Sequence, residues 1–240
     1  MIKRVLSIAA LSLAAVLSFG QPKLCPDNIE EVIKAMTDEE LASLLVGAKE
    51  SEFEFFEGTA AGVRSIPRVG IPATISCDGP AGLHFYPFRD NSDDTFYCTA
   101  FPVGTLTASS WDPEMMEMMA AALGNEVHEY GVDMFLGPGM NIHRNPLCGR
   151  NFEYFSEDPV DGRRLRPGAL MASYNKLNGE YVQQSYDLLT TILRDEWGYE
   201  GVVLTDHGAK DGTVKAAKAG CDLMQPGELV SGTYRLSSGI

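Results

Sequence analysis

Residues 188–209 read "LLTTILRDEWGYEGVVLTDHGA". Leu188, Leu189, Ile192, Leu193 and Trp197 recur at helical spacing and predict an amphipathic helix, which Gly198 closes. Val202, Val203 and Leu204 then form an unbroken apolar run, the pattern of a strand covered on both faces. Asp206 stands at the end of that strand. A helix feeding a buried strand that stops at a carboxylate is the repeating unit of a parallel α/β protein.

The same grammar runs outward along the chain. Thr37 with Glu40 three residues on makes a capping box before Leu41, Leu44 and Leu45. Residues 71–76 read as a short apolar strand that Asp78-Gly79-Pro80 breaks. Asp112 caps the next helix, Pro113 takes its first position and Gly131 ends it, with the methionines between read as core filler. "VDMFLGPG" (132–139), "ALMASYN" (169–175) and "CDLMQPG" (221–227) read as further strands, and "TVKAAKAG" (213–220) as a helix. Four strands finish at polar positions: Asp78, Asn141 after a loop, Tyr174 with Asn175, and Asp206. In a (β/α)₈ TIM-barrel fold such ends converge on one face, which holds the active site. An open doubly wound sheet would also gather ligands there, but no GxGxxG or phosphate loop follows any strand.

Composition narrows the partners. Lys3 and Arg4, the apolar run 5–17 and "SFG" predict a signal peptide over residues 1–20, hence a secreted or periplasmic protein whose domain occupies 21–240. The formal charge of −14 becomes −16 without the two cations of that leader. A surface this acidic argues against nucleic acid and anionic membranes as partners. The five cysteines include no CxxC pair, and His84, His128 and His143 are scattered, so no metal site is expected.

Among the candidate groups, Asp206 sits where a nucleophile or base needs to be fixed; it also suits a helix cap. Asp78 has the same placement, and the Gly-Pro behind it reads equally well as a turn. Arg150, in "GRNFEYFSEDP" (149–159), offers fixed donors to vicinal hydroxyls, or an ion pair to Glu153, Glu157 or Asp158. Tyr174 suits a core position with its hydroxyl satisfied. No Gly-x-Ser-x-Gly elbow is present.

Five segments appear in order: "SIPRVGIPATISCDGPAG", "GPGMNIHRNPLCGRNFEYFSEDP", "ALMASYNKLNG", "LLTTILRDEWGYEGVVLTDHGA" and "AGCDLMQPG". Together they resemble the N-terminal barrel domain of family 3 glycoside hydrolases, the β-glucosidase group in particular, from about Met36 to Gly227. The resemblance implies that Asp206 is the nucleophile of a retaining β-glycosidase acting on terminal β-D-glucosyl residues. It implies that Asp78 and Arg150 bond the hydroxyls of the non-reducing-end sugar, and that Tyr174 and Met171 line the same subsite. The expected partner is a β-linked oligosaccharide or glucoside, and no cofactor is needed. β-Xylosidase and β-N-acetylglucosaminidase chemistry, or a non-catalytic carbohydrate-binding remnant, are the alternatives.

Three departures accompany it. The family's Lys-His pair, expected on a strand between "SEDP" and "SYN", has no counterpart, because this chain contains no Lys-His dipeptide. Asp158-Pro159 resembles a helix start, yet Gly162 and Pro167 stop it within about two turns, too short for a parallel crossover. At least one strand–helix unit is therefore expected to be missing. The family's acid/base glutamate belongs to a second sandwich domain, expected to be absent here. Finally, His207 stands where tryptophan is common beside the nucleophile, which weakens the sugar platform.

Overall fold

The computed structural model describes residues 21–48, 59–89, 92–158, 167–206 and 212–225. The leader, His207 and the helix start expected at Pro159 lie outside these residues. Helices α1 (Ile29–Ala35) and α2 (Asp38–Leu44) open the described chain. The Thr37 side chain accepts from the Glu40 N–H, and Glu40 returns a bond to the Thr37 N–H at 2.9 Å, the predicted capping box.

Strand β1 (Ala61–Val63) pairs antiparallel with β2 (Thr74–Asp78). The second strand begins later than the expected residue 71. Ile71 exchanges backbone bonds with Ile66 at 2.9 and 3.2 Å, closing a turn that keeps it out of the sheet. Helices α3 (Gly104–Ser109) and α4 (Pro113–Glu129) lead to β3 (Met134–Leu136), which runs parallel to β2. Asp112 caps α4 by accepting from the Met115 N–H at 3.0 Å.

Strand β4 (Ala169–Ala172) is followed by a hairpin of β5 (Lys176–Leu177) and β6 (Glu180–Tyr181). Helix α5 (Asp187–Glu196) lies where the apolar spacing predicts it, but it is π-wound rather than α. Leu189 and Leu193 are buried as expected, whereas Trp197 at its end is 41% exposed. Strand β7 (Val202–Thr205) then pairs parallel with β4, and helix α6 (Thr213–Ala219) follows.

Backbone bonds chain these strands into one arc. From β4 and β7 it passes to Leu223 and Met224, then to Val46 and Ala48, then to β1, β2 and β3. Leu223 accepts from Thr205 (2.9 Å), Met224 donates to Leu45 (2.9 Å), and Ala48 donates to Gly62 (2.7 Å). The strand expected in "CDLMQPG" is thus reduced to two bridging residues. Among the described residues no pairing joins β3 to β4, so the barrel-like arc is open at that seam.

Packing follows the arc. Val203, Ala172, Leu189, Leu193, Ala216 and Met224 belong to one buried cluster where α5 and α6 cover β4 and β7. Val32, Met36, Ile66 and Val69 form a second cluster, and Cys77, Leu83, Phe85 and Val132 a third. Helix α4 differs from the rest, because none of its residues is buried and Met118 is 62% exposed. Its methionines therefore do not fill a core as the sequence suggests. No helix of the described residues is long and apolar enough to cross a membrane.

Candidate active site

Alternation along β7 decides where Asp206 faces. Val203 and Thr205 share one side of the strand, and Val203 packs with the helices. Leu204 and Asp206 share the opposite, inner side. The Asp206 N–H donates to the Ala172 carbonyl at 3.0 Å, extending the ladder one residue past β7 and fixing the carboxylate's root. Met171 pairs in register with Leu204 and so belongs to the inner side as well. It is 39% exposed, and Val202 on the same side is 38% exposed.

Asp78 closes β2 at the corresponding end. Its carbonyl accepts from His84 (2.9 Å), and Gly82 donates to Gly79 (3.1 Å), so the turn-former reading of this segment also holds. One buried side chain ties the two carboxylate-bearing strands together. Gln225 Nε2 donates to Ser76 Oγ at 3.2 Å, its backbone N–H donates to Thr205 Oγ1 at 2.8 Å, and Thr205 Oγ1 returns a bond to its carbonyl at 3.2 Å. Ser76 lies two residues before Asp78, and Thr205 one before Asp206. Neither position stood out in the sequence, because a buried glutamine announces nothing until its partners are known.

Arg150 makes the ion pair to Glu153 that was its alternative role. Its Nε and Nη2 donate to Glu153 Oε2 at 2.9 and 2.6 Å, while 60% of the side chain remains open to solvent. That bond to Glu153 is the main reason its guanidinium is held above the usual value; the charges of Glu153, Tyr154 and Asp206 add to it. Arg150 and Asp206, 56 positions apart in sequence, thus share one electrostatic neighbourhood. Tyr154 joins them: burial pushes its phenol up, Arg150 opposes the shift, and Tyr174 lies close enough to contribute. Tyr174 itself is exposed two residues beyond β4, at the base of the hairpin, where the Val182 N–H donates to Asn175 at 3.1 Å.

The arginine loop is held from behind. Thr105 Oγ1 donates to the carbonyls of Asn151 (2.9 Å) and Tyr154 (3.0 Å), and His143 Nε2 lies 3.0 Å from the latter carbonyl. Gly104 permits the approach, since a Cβ there would sit 2.3 Å from the Glu153 carbonyl oxygen. His143 is therefore a loop support. Among the described residues no group of three His, Cys, Asp or Glu side chains could hold a metal ion. The five cysteines are unpaired. Burial pushes Cys77 up to about 11 and Cys221 up to about 12, so neither is a thiolate nucleophile at neutral pH.

Residues 165–231 match the glycosyl hydrolase family 3 N-terminal domain. The chain belongs to glycoside hydrolase family 3. Thermostable beta-glucosidase B of Acetivibrio thermocellus is 34% identical over 83% of this chain and 33% of its own length. The exo-alpha-(1->6)-L-arabinopyranosidase of Bifidobacterium breve is 32% identical over 81% of this chain and 32% of that protein. The beta-glucosidase 3B of Thermotoga neapolitana, solved in complex with glucose, superimposes with a TM-score of 0.80 at 38% identity, over 85% of this chain and 37% of that one. The chain thus spans about a third of the length of the curated relatives it matches. The alignment to the Acetivibrio enzyme runs over 260 positions, whereas 83% of 240 residues is about 199. About 60 of its positions therefore have no counterpart in this family 3 chain.

Proposed function

We propose that this chain carries the nucleophile half of a retaining β-glycosidase site, with Asp206 as nucleophile and glucosides as substrates. The observation that supports the reading best is the placement of Asp206, anchored at the end of β7 on the inner side, with the cationic Arg150 in electrostatic reach. Asp78 and Arg150 bind the hydroxyls of the terminal sugar, and Met171 and Tyr174 line its faces. His207 follows as a further contact. The Asp206 carboxylate attacks the anomeric carbon as the glycosidic bond breaks, and the leaving oxygen departs with the electron pair. Water then cleaves the glycosyl ester and the sugar leaves with its configuration retained.

A general acid contributes about 10²–10⁴-fold to such a reaction. In this reading it comes from outside the described residues, so the chain acts on activated glycosides and is slow on alkyl ones. In this reading the unmatched positions of the relatives belong at the seam between β3 and β4, where no pairing joins the described strands and the sequence has no Lys-His dipeptide. Export through the leader completes the proposal.

Incubation with 2,4-dinitrophenyl 2-deoxy-2-fluoro-β-glucoside, followed by peptide mass analysis, tests the assignment. One adduct on the Asp206 peptide is expected, and none in Asp206→Asn. A folded wild-type chain that stays unlabelled overturns the nucleophile assignment. The open seam, with Met171 and Val202 exposed on the inner side, favours a second reading: a carbohydrate-binding remnant without turnover. Calorimetric binding of glucose or cellobiose without hydrolysis would select it.

A further inference from the structure

Residues 84–89 and 92–99 carry more exposed aromatic surface than a solvated loop requires. Phe85 is buried, and Phe96 lies under the Arg89 guanidinium at 3.7 Å, but Tyr86, Phe88 and Tyr97 face solvent. The Phe96 N–H donates to the Pro87 carbonyl at 2.8 Å, which holds two arms of the loop together, with Tyr86 on one and Tyr97 on the other. Tyr97 is 78% exposed. Against it opens a groove of about 620 Å³, floored by α4 and lined by none of the residues assigned to sugar binding or catalysis above. That volume falls within the usual range for small-ligand sites, about 300–1,000 Å³.

The groove is built rather than incidental. Ala122, Asn125, Glu126 and Glu129 recur at the spacing that puts residues on one stripe of α4. Glu126 accepts from the Thr99 N–H at 2.7 Å, and the Tyr130 hydroxyl donates to the Tyr97 carbonyl at 2.6 Å. These two bonds pin the aromatic loop to the helix and hold Tyr97 in place. Ala122 leaves the floor low, and Asn125 and Glu129 stand exposed along the rim. A flat ring beside a carboxamide and a carboxylate suits a pyranose: the ring covers its C–H face, and the polar pair meets its equatorial hydroxyls. The rim carboxylate and the net charge of −14 disfavour phosphorylated or anionic ligands.

We propose that this groove is a second, non-catalytic saccharide site for a neutral β-linked oligosaccharide, with Tyr97 as stacking platform and Asn125 and Glu129 as hydroxyl partners. The choice of a β-linked sugar rests on the glycosidase reading; the groove's geometry does not.

Native electrophoresis in gels with and without soluble mixed-linkage β-glucan tests it on the whole chain. The wild type should be retarded by the glucan. Tyr97→Ala should weaken that retardation at least about fivefold, the scale of a lost ring contact. Asp78→Ala should stay retarded, and Tyr97→Ala should still take the fluoroglucoside label on Asp206. Melting curves of Tyr97→Ala matching the wild type would show that the variant folds. An unretarded wild type, an equally retarded Tyr97→Ala, or loss of all retardation in Asp78→Ala would each overturn the proposal. Failure of the glycosidase reading appears separately, as absent labelling in wild type and Tyr97→Ala alike.

Discussion

The wall built from β4, β7, α5 and α6 and the wall built from β3 and α4 use similar sequence material with opposite results. In the first, Val203, Leu189, Leu193 and Ala216 are almost wholly withdrawn from water and Asp206 is fixed at the strand end. In the second, a longer helix with four methionines buries no residue at all. The difference is one of neighbours rather than of local propensity. β7 has a paired strand or bridge on each side, while β3 pairs with β2 alone among the described residues. An amphipathic face becomes core only when another element covers it. The open seam thus leaves the α4 wall thin and the Asp206 wall intact.

Matched truncations should expose that contrast most strongly. Leu193→Ala is expected to lower unfolding free energy by about 2–5 kcal/mol in urea melts. Met118→Ala should stay within about 0.5 kcal/mol. Comparable losses in the two variants would mean that α4 is buried in solution.

Gln225→Leu should fall below Leu193→Ala in effect, at about 1–3 kcal/mol, because it leaves the buried Ser76 and its surroundings short of a partner. If the variant keeps wild-type stability, the link between the strands of Asp78 and Asp206 is dispensable. Thr37→Ala, which removes the α2 cap, should cost about 1 kcal/mol by the same melts.

The smallest effect is a pH signature at the edge of the arc. Arg68's hydrogen bond, with help from the Thr37 N–H, lowers Glu40 from 4.5 to about 2. A carboxylate depressed in the folded state stabilises above its unfolded value, and the contribution fades as pH falls through the folded one. The melting-temperature gap between wild type and Glu40→Gln should therefore be constant above pH 4.5 and close between 4.5 and about 2. A gap that persists at pH 2 would remove the ion pair as its source.

Much of the site was legible because local rules fix it. The capping box at Thr37, the cap at Asp112, the buried strand before Asp206 and the turn at Asp78 all depend on neighbours within a few residues. The hairpin at Asn178-Gly179 follows an equally local rule, since Asn-Gly between short strands signals a tight turn. Tyr154, Thr105 and Gln225 were not legible. Their roles come from partners dozens of residues away, and no spacing rule spans that distance.

The sequence by itself determined the helical segment before β7 and that Asp206 ends a buried strand, because periodicity and punctuation act locally. Only the tertiary structure decided that Arg150 and Asp206 share a neighbourhood, that Gln225 joins the strands of the two carboxylates, and that α4 fully buries none of its residues. Each of these depends on which elements lie side by side, and hydrogen bonding and burial are settled only when they do.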